Sequence, residues 1–313
     1  MKVLCCGNQK GGVAKTTCAL NICYSLANTY DYKVLLVDMD SQGSSSLNLG
    51  IDINSDDINT ISDILEPYVK RQVKKLSWSS ISECIYTPTY QDRKRDPENK
   101  MRWIQVDVPF GFDVIPSSLY LSVVEMMMGV VGGATKQAIY QYYLYDLLAV
   151  VREHADYDYV IIDTPPSLGA LSVNSIAAAE DGVIIISNLD VMSMRGIKTF
   201  ITSTETVQRM NPNHKGILGI LLSLYSDRRS VDRAIEQWVQ EFLPIPTFDT
   251  RIPETSDVKK ANSSMMLVSQ LNKKCKAAFD GVAAEIIYAT EHPGVPIGSA
   301  RKAIMEEIEN GQN

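Results

Sequence analysis

The sequence predicts an α/β fold, a doubly wound, mostly parallel sheet with helices on both faces, and three observations carry that prediction. Short apolar runs alternate with stretches of helical period along the chain. The runs are apolar throughout rather than alternating, as strands covered on both faces must be. A glycine-bearing loop separates the first run from the first helix, the place where such sheets receive phosphate.

The elements follow in order. Residues 2–6 form a short apolar run ending at Gly7. Residues 16–27 carry Ala19, Ile22, Cys23, Leu26 and Ala27 at helical spacing, and residues 34–37 (Val-Leu-Leu-Val) are a second strand. Three more strands are predicted at 159–162, 182–186 and 216–222, separated by helices at 171–179, 194–209 and 230–241. Between 51 and 112 the pattern weakens. Lys70, Arg71, Lys74, Lys75, Arg93, Lys94, Arg95 and Lys100 are interleaved with Trp78, Tyr86, Tyr90 and Trp103 there. This stretch reads as an elaborated surface insertion rather than a second domain. Its basic–aromatic mixture suits nucleic-acid contact, although a solvated irregular face is the plainer reading. One domain is expected over 1–290, followed by a linker and short acidic helix at 291–313. Met126, Met127 and Met128 are expected to fill core space.

Composition narrows the class. The chain has 313 residues, 45% hydrophobic and 21% charged, which is ordinary globular usage. The N-terminus runs into the glycine loop by Gly7, leaving no room for a signal peptide, so a cytoplasmic location is expected. No apolar run approaches the roughly 20 residues of a membrane helix, and no membrane partner is expected. Six cysteines and three scattered histidines show neither a disulfide pattern nor a metal-ligand spacing. Net charge is −7, yet residues 195–276 carry 13 Lys/Arg against 8 Asp/Glu, so a polyanion can meet a basic face there.

The chemistry concentrates in three motifs. Gln9-Lys10-Gly11-Gly12-Val13-Ala14-Lys15-Thr16-Thr17 lies between a strand and a helix. A loop so placed aims backbone N–H groups at phosphate, Lys15 reaches the terminal phosphates, and Thr16 supplies a hydroxyl to Mg²⁺. Asp38-Met39-Asp40-Ser41-Gln42-Gly43 and Asp163-Thr164-Pro165-Pro166 each sit at the carboxyl end of a predicted strand. Ligands bind at that edge of open α/β sheets, so the three motifs converge on one nucleotide. Each aspartate alone could be a helix cap. Three together fit phosphoryl transfer, which needs carboxylates near the metal and the attacking water.

The Lys10-to-Thr17 loop resembles the deviant Walker A motif of the ParA/MinD family of P-loop ATPases. The order of the two acidic motifs, with Val173-Asn174-Ser175-Ile176-Ala177-Ala178-Ala179, resembles its ParA/Soj partition branch. The resemblance covers residues 1 to about 290, most of the insertion excepted. It implies an ATP hydrolase using Mg²⁺, slow and partner-stimulated, that dimerises around two ATP molecules with Lys10 crossing to the partner's nucleotide. It implies that Asp40 positions the attacking water, that Asp163 lies near Mg²⁺ directly or through water, and that Arg251-Ile252-Pro253-Glu254-Thr255 lies along the adenine. Nonspecific DNA and a centromere-binding protein that triggers hydrolysis are the implied partners. Plasmid or chromosome partition is the implied role, on the nucleoid if DNA is bound.

Two residues depart from the family pattern. Ala14 stands where glycine is usual, and alanine is strained there if φ is positive. Glu254 stands where an arginine commonly helps bind DNA. The remaining DNA candidates are Arg228, Arg229 and Arg233, with Lys259, Lys260, Lys273, Lys274 and Lys276. Rival readings are a positioning ATPase for a protein cargo or a membrane surface, and a nucleotide-binding scaffold that scarcely hydrolyses. The membrane rival needs a basic amphipathic C-terminal helix, and the tail here is mostly acidic. A redox ATPase would need paired cluster cysteines, which Cys84 and Cys275 do not supply.

Overall fold

Continuous burial along the strands of the main sheet, with successive side chains facing opposite cores, explains the architecture. In β1 (Lys2–Gly7), Val3 and Cys5 face one core while Leu4 and Cys6 face another. In β2 (Val34–Asp38), Leu35 and Val37 join the first core, Val34 and Leu36 the second. Strands that bury both faces must sit between two layers of helices, and that is the arrangement in the computed structural model. It describes residues 1–96, 103–135, 142–188, 191–226, 229–243 and 245–299.

After β1 come α1 (Lys15–Asn28), β2, α2 (Ser44–Asn48), α3 (Ile61–Val69), α4 (Trp78–Ser82), β3 (Thr89–Arg95), β4 (Trp103–Pro109) and β5 (Asp113–Ile115). Then follow α5 (Leu121–Thr135), α6 (Tyr143–His154), β6 (Tyr159–Asp163), α7 (Ala170–Ala178), β7 (Gly182–Asn188), α8 (Val191–Met210) and β8 (Ile217–Ser223). The chain continues through α9 (Ser230–Phe242), α10 (Asp257–Ser263), α11 (Val268–Leu271) and α12 (Lys273–Glu291). The main sheet has the order β5-β2-β6-β1-β7-β8, with every pairing parallel. Strand β6 inserts between β2 and β1, so Asp163 lies beside both Cys6 and Asp38 in the register. The glycine loop and both acidic motifs therefore share one sheet edge.

Five predicted strands match β1, β2, β6, β7 and β8. Strand β5 has only three residues, too few to show a period. The 51–112 stretch proves mixed. Ile61, Ile64 and Leu65 of α3 and Ile81 of α4 lie in the core beside the sheet. Among the described residues of the stretch, β3 and β4 stand apart, as a separate two-stranded antiparallel sheet. The three methionines divide. Met128 is fully buried, Met127 packs partly on the core, and Met126 is 65% exposed. Consecutive helical positions point about 100° apart, so one helix cannot bury all three. All six cysteines are free and buried, and among the described residues no helix is long and apolar enough to cross a membrane. The acidic tail helix expected from residue 300 onward lies outside the described residues.

Candidate nucleotide site

The glycine loop is tied down at four points. Asn8, buried at the end of β1, donates from Nδ2 to the Ile186 carbonyl (2.7 Å) and accepts the Lys10 N–H (3.1 Å). The Thr164 hydroxyl donates to the Cys6 carbonyl (2.9 Å), and Ser223 at the end of β8 donates to the Val13 carbonyl (2.8 Å). Phe200 of α8 packs so closely on Gly7 that an added Cβ would lie 2.1 Å from its ring. A side chain at position 7 would therefore push α8 off the loop. Helix α1 opens without a side-chain cap at Ala14. Its first N–H groups and the positive end of its dipole thus face the loop, as an anion site requires.

Ala14 has φ 65° and ψ 31°, the left-handed conformation. The steric cost raised by the sequence is therefore real, on the order of 1–2 kcal/mol for a non-glycine residue. Glycine there would relieve that cost while adding freedom to the unfolded chain. Ala14→Gly is expected to raise nucleotide-free stability by roughly 0.5–1 kcal/mol, read by urea unfolding. A lower midpoint in the variant would show that Ala14 is not strained.

The acidic residues form a connected cluster. Asp163, fully buried, accepts the Thr16 and Ser45 hydroxyls on Oδ2, each at 2.8 Å. Its Oδ1 is buried without a hydrogen-bond partner. Asp38 accepts the Ser46 N–H (3.0 Å) and hydroxyl (2.7 Å) on one oxygen and the Asp40 N–H (3.1 Å) on the other. Asp40 accepts the Gln42 N–H at 3.0 Å. Burial first, then the Asp163 carboxylate, pushes the Asp38 carboxyl up to about 7. Burial also raises Asp163, to about 6, against the two hydroxyl donors and Lys15. Lys15 is itself buried and its ammonium is lowered by desolvation, with Asp163 and Asp40 opposing the shift. In this conformation Lys15 Nζ donates to the Lys10 carbonyl at 3.0 Å.

A divalent cation fits this donor set. Asp163 offers an orphaned carboxylate oxygen and Thr16 a hydroxyl already beside it, the hard-oxygen ligands that Mg²⁺ prefers. No separate protein metal cluster occurs among the described residues.

The remaining predicted residues lie on the segments that follow β8. Segment 252–254 runs beside the end of β8: Ile252 donates to the Leu222 carbonyl (2.8 Å), and Tyr225 and Glu254 complete a short bridge around Pro253. Ser223 joins that strand end to the loop, so Pro253 is brought to the flank of the phosphate site. The Thr255 hydroxyl turns instead to Asp257 at the start of α10. Arg229 ion-pairs with Glu254 and lies 4.0 Å from Asp232. Its charge is thus answered within the chain. Lys259 and Lys260 are exposed on α10, whereas Arg228 lies outside the described residues.

Asn8, Ser45, Ser46 and Ser223 are absent from the sequence reading. A serine run directly after Gly43 hints at the two hydroxyls that α2 turns to Asp163 and Asp38. Nothing local marks Asn8 or Ser223, whose partners lie 178 and 210 residues away.

Comparison with known proteins agrees with this geometry. Residues 1–215 match the AAA domain family. The chain is 31% identical over 293 residues to the chromosome partitioning protein ParA of Caulobacter vibrioides, spanning 92% of this chain and 94% of that one. Cobyrinic acid a,c-diamide synthase from Mycobacterium smegmatis, solved with an ATP analogue and magnesium, superposes with TM-score 0.69 at 26% identity, covering 95% and 98% of the two chains. The septum site-determining protein MinD from Pyrococcus horikoshii, solved with Mg-ADP, shares the fold at TM-score 0.61 and 20% identity, over 91% and 95%.

Proposed function

This chain belongs to the ParA/MinD-type ATPases, and from that membership we propose that it is a DNA-partition switch in which two copies close around two molecules of Mg·ATP. Its nucleotide is ATP and its metal Mg²⁺. The observation that carries the proposal is the convergence of Lys15, Thr16, Asp40 and Asp163 at one sheet edge beside an uncapped helix N-terminus.

Lys15 binds the terminal phosphates, Gly11 to Thr17 cradle them through backbone N–H groups, and Asp163 with Thr16 holds the metal. Magnesium supplies charge neutralisation to the phosphates. Asp40 orients the attacking water, its backbone fixed by Asp38 and its carboxylate by Gln42. Lys10 reaches the partner's nucleotide, and Pro253 lines the adenine with Thr255 beyond it. Strain at Ala14 favours slow basal turnover, which a centromere-binding partner accelerates. The ATP dimer holds nonspecific duplex DNA and lets go after hydrolysis. Arg229 contributes little to that contact while Glu254 holds it, which leaves Lys259 and Lys260 as the better supported cations. One domain over 1–290 suffices for this cycle.

The switch is tested by fluorescence anisotropy on a labelled random-sequence duplex. With Mg·ATP the expected affinity exceeds that with Mg·ADP by at least about tenfold, and it falls steeply with salt. Equal affinity in both states would sink the switch.

A further inference from the structure

We propose that the β3–β4 ribbon is a second DNA-contacting arm, which lays one face into the major groove of duplex DNA. The inference rests on the DNA-binding reading above and adds a contact outside the nucleotide edge. Its motive is the Arg229–Glu254 pair, which answers the charge of one expected DNA cation within the chain.

The ribbon has the right shape. Its two seven-residue strands pair from Thr89↔Pro109 to Arg95↔Trp103 and form a sheet of their own. It joins the body at the base, where Phe110 donates to the Pro88 carbonyl (3.0 Å) and packs on Tyr90, with ring centroids 5.0 Å apart. A major groove about 12 Å wide admits such a two-stranded ribbon.

One face also has the right chemistry. Arg93 opposes Gln105 and Arg95 opposes Trp103, so the period-two alternation places all four side chains on the same face. All four are exposed, Trp103 by 57%. Arginine reads guanine or phosphate, glutamine reads adenine, and an apolar ring meets the thymine methyl. Arg93, Trp103, Ile104 and Gln105 border an open recess. Asp107 shares this face nearer the base, where it accepts the Gln91 amide, and Asp92 lies on the opposite face. The Arg95 guanidinium lies 5.0 Å over the Trp103 ring. It covers one of the surfaces on which an unpaired base would stack, which favours a duplex over a single strand.

The test compares wild type, Arg93→Gln/Arg95→Gln and Lys259→Ala/Lys260→Ala, each with Mg·ATP, by anisotropy on a labelled duplex and on its single strand. Arg93→Lys/Arg95→Lys is a second ribbon variant that keeps charge but loses forked hydrogen bonding. The glutamine variant is expected to bind duplex about tenfold or more weakly, the lysine variant to fall between, and ATP affinity to stay at the wild-type value in both. Wild-type duplex affinity in the glutamine variant, alongside loss in Lys259→Ala/Lys260→Ala, overturns the ribbon and leaves the DNA reading standing. Equal loss on single strand and duplex overturns the groove assignment. No duplex binding by the wild type overturns both.

Discussion

Lys15→Ala is expected to lower ATP affinity by at least about 100-fold, a loss near 3 kcal/mol, as removing a desolvated charge-assisted hydrogen bond to phosphate does. Lys15 is 7% exposed and faces Asp163 and Asp40. Its ammonium is the buried cation of a pocket holding three acidic side chains. Without it the pocket becomes more negative, and a triphosphate would enter against uncompensated carboxylates. The fold should survive, because burial already opposes the Lys15 charge. Calorimetric titration with Mg·ATP checks the prediction, with the thermal midpoint as the control for folding. Wild-type affinity in the variant would show that the triphosphate binds elsewhere.

Asp40→Ala is expected to separate binding from turnover. Misplacing a water-orienting carboxylate typically costs 10²- to 10⁴-fold in rate. Asp40 is not among the donors to Asp163 Oδ2, which come from Thr16 and Ser45. Asp163 with its two hydroxyl donors and the glycine loop therefore stay intact when its side chain is removed. Phosphate release should fall at least about 100-fold while ATP affinity changes by less than about threefold. The ATP-bound form should then accumulate, and DNA with it. A parallel loss of affinity and rate would assign Asp40 to nucleotide binding instead.

Local patterning made much of this molecule legible, and the illegible parts share a cause. Continuous apolar runs identify β1, β2, β6, β7 and β8, and the position of each aspartate at a strand end follows from them. Strand β5 is hidden because Asp-Val-Ile has no period of its own and is defined by pairing with Leu35 to Val37. The surface reading of 51–112 fails for α3, since burial of Ile61 and Leu65 is decided by neighbours on the sheet. The strain at Ala14 is only conditional in the sequence, which shows the residue's identity and not its φ. Arg229 carries a suitable charge, and its partner Glu254 lies 25 residues away. Identity shows which chemistry a side chain carries. Long-range geometry decides whether that chemistry is free to act.

The proposed dimer depends most directly on Lys10, and sedimentation equilibrium tests it. Lys10→Ala is measured against an intact Lys10, both on an Asp40→Ala background that holds Mg·ATP. Lys10 is predicted to matter for association alone: the Asp40→Ala protein should sediment as a dimer, and the double variant as a monomer with ATP still bound. A double variant that dimerises as tightly as its parent would contradict the crossing lysine.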